Sequence, residues 1–80
     1  MAYSAFARLI DSSGNESWYD CGVTEDGPER GVLHLQFVDD VFPEWEDGRP
    51  IDMIARAVAR RAGHAFKTTG AWPENASFMA

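Results

Sequence analysis

Few residues in this chain have side chains suited to covalent chemistry. They are Cys21, His34 and His64, with the neighbouring carboxylates Asp39 and Asp40. A thiol nucleophile needs a base within hydrogen-bond reach and a third group to orient that base. Cys21, with His34 or His64 as base and Asp39 or Asp40 as orienting acid, supplies the types, but the spacing matches no catalytic signature. A lone cysteine is more often packed as a small hydrophobe. We read Cys21 as packing and the chain as non-enzymatic.

A metal centre fares no better. Two histidines thirty residues apart, one cysteine and scattered carboxylates fit no zinc spacing. The acidic runs lack the alternating ligands around a central glycine that mark a calcium loop. Gly48-Arg49-Pro50 lacks the glycines of a phosphate cradle, and its proline removes a donor. No metal and no cofactor is expected. Asn75-Ala76-Ser77 matches the glycosylation triplet, which in the absence of a secretory signal reads as chance.

The acids are the informative set. Glu25-Asp26, Asp39-Asp40, Glu44 and Glu46-Asp47 fall in predicted loops beside strand ends, with Phe42 and Trp45 interleaved among the last of them. Alternate residues of extended backbone lie about 6.5–7 Å apart, close to the spacing of phosphates along one nucleic-acid strand. A stiff scaffold carrying Glu25, Asp26, Asp39, Asp40, Glu44, Glu46 and Asp47 would be steered towards a basic channel. Phe42 and Trp45 would be its desolvated anchors. The competing reading has Phe42 and Trp45 covering the end of the core while the acids solvate the loop.

The charge balance sharpens this. Net charge is −6, and it is unevenly placed. Residues 1–52 hold twelve acids against Arg8, Arg30 and Arg49, whereas residues 53–80 hold only Glu74 against Arg56, Arg60, Arg61 and Lys67. Direct binding to nucleic acid or to an anionic membrane is disfavoured, because both call for a basic surface. An acidic face aimed at a basic protein surface is the natural alternative. Arg56, Arg60 and Lys67 read as a solvated helix face, with Asp52 placed to pair with Arg56 at i,i+4, or as a small basic contact for an acidic partner surface.

These residues must be positioned by elements legible in the pattern. Eighty residues make one domain, 1–80, that buries only roughly 60% of its unfolded surface and has no room for a deep pocket. Tyr3 to Ile10 alternates and reads as a strand. Asp11 to Asn15 is a run of turn formers, and Ser17 to Val23 a second strand, so the pair predicts a hairpin. Thr24 to Gly31 is a further turn region. Val32 to Val38 is a third strand, with Leu33, Leu35 and Phe37 on one face and His34 and Gln36 on the other. Asp39 to Arg49, interrupted by Pro43 and Gly48, reads as a loop or at most one helical turn.

Pro50 to His64 predicts an amphipathic helix. Ile51, Ile54, Ala55, Val58 and Ala62 recur on one face, Pro50 and Asp52 suit the first turn, and Gly63 is a candidate stop, although His64-Ala65-Phe66 could carry the helix another turn. The tail carries Trp72, Phe78 and Met79 and is expected to pack back as a short edge strand. The expected fold is α+β. A three- to four-stranded antiparallel sheet packs on one helix in the order β-β-β-α, with a possible C-terminal edge strand, and its other face is open to a partner.

The acidic loop Asp39 to Asp47 and the pair Glu25-Asp26, on a small acidic chain without catalytic motifs, resemble the phage-encoded anti-CRISPR proteins. That resemblance implies a non-enzymatic inhibitor that occupies a DNA-binding or subunit surface of a CRISPR–Cas effector. Toxin-immunity proteins and virion subunits fit the same outline. Such a module would bind through an exposed aromatic sheet face with Trp18 or Tyr19. The N-terminus has neither a basic start nor a long apolar run, and the single cysteine excludes an internal disulfide, so a bacterial cytoplasmic setting is expected. A monomer or a homodimer is open.

Overall fold

The computed structural model describes residues 4–22 and 31–79. Most of the expected turn from Thr24 to Gly31, including Glu25 and Asp26, lies outside the described residues. The elements run β1 (Ser4–Ser13), β2 (Glu16–Gly22), β3 (Gly31–Val38), β4 (Asp40–Trp45), α1 (Met53–Thr69) and β5 (Phe78–Met79). They form an α+β fold. Four antiparallel strands in the order β4-β3-β2-β1 pack on α1, and the two-residue β5 extends the sheet beyond β1. Among the described residues no helix is long and apolar enough to cross a membrane.

The β1–β2 hairpin forms, but its turn is only Gly14-Asn15, with Gly14 at φ 59°, and Asp11 to Ser13, expected in the turn, belong to β1. β1 outruns the expected Tyr3 to Ile10, because a register shift between Leu9 and Asp11 inserts an extra residue and lets pairing continue to Ser13 opposite Glu16.

The acidic connection is not a loop. Asp40–Trp45 is a strand paired antiparallel with β3, so the expected β-β-β-α order gains a strand. The backbone explains why Pro43 is tolerated. The Glu46 N–H donates to the Val32 carbonyl, which makes that pair hydrogen-bonded. Antiparallel pairs alternate, so the Leu33–Trp45, Leu35–Pro43 and Phe37–Val41 pairs are the non-bonded ones. The nitrogen of Pro43 therefore faces the open edge, where a missing N–H costs no ladder bond and also blunts edge-to-edge pairing. The turn before it puts Asp39 at φ 66°, a conformation that aspartate tolerates better than most residues.

The helix differs from the expected Pro50 to His64 at both ends. Asp52 is its N-cap, and Oδ1 accepts the Ala55 N–H at 2.9 Å. Pro50 lies ahead of the cap. Gly63 does not stop the helix, which runs to Thr69. Gly70 at φ 78° ends it by donating its N–H to the Phe66 carbonyl at 2.7 Å. Gly63 is there for closeness. A Cβ at that position would stand 2.7 Å from Val41 Cγ1, so the missing side chain is what lets the helix lie on β4.

The core lies between helix and sheet. Ala7, Tyr19, Cys21, Leu33, Leu35 and Trp45 come from the strands, and Ala55, Val58, Ala59 and Ala62 from the helix. Ser17 Oγ and Trp45 Nε1 are buried without a hydrogen-bond partner among the described residues. The tail packs back as expected. The Leu9 N–H donates to the Glu74 carbonyl and the Ala76 N–H to the Ala7 carbonyl, and β5 then pairs with Ser4 and Ala5. Trp72 is buried, stacked on Phe66 at 4.4 Å, with its indole N–H donated to the Gly14 carbonyl. The Tyr19 hydroxyl donates to the Pro73 carbonyl, which pins the tail across the core.

Candidate functional site

Strand parity decides which of the expected site residues can act together. Side chains of a strand alternate between its two faces. Along β4 the odd positions Val41, Pro43 and Trp45 turn towards the helix, while Asp40, Phe42 and Glu44 are exposed on the outer face. Phe42 and Trp45 stand three positions apart along the strand, so they point opposite ways. Trp45 is a core residue, 2% exposed, and not a surface anchor. Phe42 is 58% exposed and keeps the place expected of an anchor.

The register of the neighbouring strands completes the face. Glu44 stands opposite His34, and His34 opposite Trp18. Phe42 stands opposite Gln36, and Gln36 opposite Glu16. In the third row Glu46 meets Val32 through its backbone hydrogen bond, and Asp20 lies beyond Val32 on β2. The outer face thus gathers Glu16, Asp20, Asp40, Glu44 and Glu46 around Trp18 and Phe42, with Arg8 of β1 opposite Asp20. The Trp18 and His34 rings stack at 4.9 Å and 13°, and His34 Nε2 lies 3.1 Å from Glu16 Oε1. That contact fixes the middle of the face. It also sets one carboxylate against the protein's own imidazole.

The remaining acids divide. Asp47 is engaged within the molecule. Its carboxylate takes two bonds from Arg49 Nε, at 3.1 and 2.8 Å, and an ion pair from Nη2 at 2.6 Å. Those bonds hold its carboxyl below the usual carboxylate range. The Arg49 guanidinium lies over the Trp45 ring, 4.6 Å from its centroid, so Asp47 and Arg49 close a lid on the buried indole. Asp39 and Asp40 sit at the β3–β4 turn and also border a cavity of about 520 Å3, with Arg56, Arg60 and Lys67 on its helix side. Glu25 and Asp26 lie outside the described residues.

The other candidates for chemistry are separated. Cys21 points to the helix side of the sheet and His34 to the outer side, so the sheet stands between them. His64 is exposed on the helix, away from the buried thiol. Burial pushes the Cys21 thiol up to about 12, with the neighbouring Asp20 adding to the effect. Burial likewise raises Tyr19. Among the described residues no group of three or more His, Cys, Asp or Glu side chains stands close enough to hold a metal ion.

The sequence pattern misses two parts of this face. Reading Asp39 to Asp47 as one loop merges an inward tryptophan with outward acids. Reading the loops alone also passes over Glu16 and Asp20, whose even spacing with Trp18 is a usable signal. No protein-family model matches the chain, and neither a curated protein nor a solved structure shows significant similarity to it.

Proposed function

We propose that this chain is a non-enzymatic binding protein whose outer sheet face occupies a basic, nucleic-acid-binding surface of another protein. One observation carries the reading. The parity of β2 and β4 puts Glu16, Asp20, Asp40 and Glu44 on the side opposite the helix, around Trp18 and the exposed Phe42. Carboxylates on paired strands steer a cationic partner from a distance. A large exposed ring within a charged rim is the kind of residue that carries contact energy once it is desolvated. The resemblance to anti-CRISPR proteins supports a CRISPR–Cas effector as that partner, with its DNA site blocked.

The test is competition. The protein, added to a purified effector, should reduce its DNA binding in proportion to occupancy. Charge reversal at Asp40 and Glu44 should slow association, with a smaller effect in high salt. DNA binding left unchanged by a saturating amount of bound protein would refute the blocking mechanism.

The half-exposed Trp18–His34 stack also favours a second reading, an interaction module of the toxin-immunity or virion type that docks through rings. Tyr19 drops out of that reading because it is buried. Loss of binding on Trp18→Ala, with the acidic variants silent, would select the second reading.

A further inference from the structure

The side of the molecule away from the acidic face carries a groove of the opposite sign. Met53, Ala57, Arg60, Arg61 and His64 recur at i, i+4, i+7, i+8 and i+11 along α1, and Arg56 borders the same space. Pro73 and Asn75 of the returning tail form the far wall. The groove is open to solvent and spans about 900 Å3, and among the described residues no carboxylate lines it.

Three features point to an anionic occupant. Acids outnumber bases thirteen to seven in the chain, yet Arg56, Arg60 and Arg61 form no ion pair among the described residues. Asp52, which could have reached Arg56, is instead engaged at the helix cap. Arg56 and Arg60 also stand at i,i+4, where like charges destabilise a helix. Finally, Asn75 Oδ1 accepts the Ser77 N–H at 2.7 Å, which fixes the amide and leaves its NH2 group as a further donor on the groove wall.

We infer that this groove binds a small phosphate ester of the nucleotide class. Guanidinium forks pair with phosphate oxygens in two-point contacts that a carboxylate-lined surface cannot offer. The volume falls in the range of small-ligand pockets and exceeds what an inorganic ion fills. Ala57, Ala65 and the Pro73 ring supply an apolar floor for a planar base. A nucleic-acid polymer fits poorly, because a chain of net charge −6 repels the phosphates beyond the groove.

Amide spectra of the full chain, titrated with ADP, adenosine, pyrophosphate and a short single-stranded DNA, test this site separately from the sheet face. ADP should shift the resonances of Met53 to Ala65 and of Asn75 saturably, more tightly than pyrophosphate, with adenosine inert. Arg60→Ala and Arg61→Ala should each weaken ADP about tenfold, the scale of one lost charged hydrogen bond, while the spectrum stays folded. Phe42→Ala should leave ADP binding unchanged. The inference is overturned if ADP gives no saturable shift there or if pyrophosphate binds as well as ADP. Tighter binding of the DNA through the same residues would overturn it too.

Discussion

Gly63→Ala is a substitution whose sign the packing decides. In an exposed helix interior, replacing glycine by alanine gains about 1 kcal/mol. Here the new methyl would sit 2.7 Å from Val41 Cγ1 and 2.9 Å from Val41 Cβ, well inside contact distance. Val41 is anchored in β4 backbone and cannot swing away like the end of a long side chain. The overlap forces helix and strand apart, and overpacking of this kind costs about 1–3 kcal/mol. Subtracting the propensity gain leaves a net loss of about 1 kcal/mol. Denaturant unfolding followed by circular dichroism reads it as a lower midpoint at an unchanged slope. The decisive measurement is the cycle with Val41→Gly. That change removes both of the nearest atoms, so Gly63→Ala in its background should recover the helix gain and stabilise by about 1 kcal/mol. Stabilisation by Gly63→Ala in the wild-type chain would refute the close approach of α1 to β4. So would additivity of the two changes.

Further outcomes follow from the same packing. Cys21 keeps its proton in the folded state up to about pH 12, whereas an exposed thiol loses it near 9. Stability is therefore full below about pH 9 and falls by about 1.4 kcal/mol per pH unit above it, with the raised Tyr19 acting in the same direction. Cys21→Ala should flatten part of that alkaline fall, and the thiol should react with Ellman's reagent only on unfolding. Trp45→Ala should cost about 3–5 kcal/mol in the same unfolding assay, while Phe42→Ala stays within about 0.5 kcal/mol and affects binding alone. Tyr19→Phe loses the bond to the Pro73 carbonyl. It should cost about 1 kcal/mol and speed amide exchange in the tail strand. Asp52→Ala should cost about 1 kcal/mol through the lost cap, and Asp52→Asn much less.

Most of the framework is legible along the chain. Period-2 runs place β1, β2 and β3, and the apolar face of Ile54, Ala55, Val58 and Ala62 places the helix, because both patterns record a buried side that each element must cover. The imbalance of charge between residues 1–52 and 53–80 is there to read as well, since it depends on residue type alone.

What depends on position across elements needs the folded molecule. Pro43 and Gly48 mark a loop by local rules, but a free sheet edge accepts a proline whose nitrogen faces outward, and so β4 forms. Once it is a strand, parity sends Trp45 into the core and leaves Phe42 outside, a division that nearness in the chain conceals. Gly63 resembles a stop because local propensity is blind to Val41, which comes within contact only after folding. The proposed binding face arises for the same reason. Glu16, Trp18, His34 and Glu44 come from three strands, and only the register of the sheet makes them neighbours.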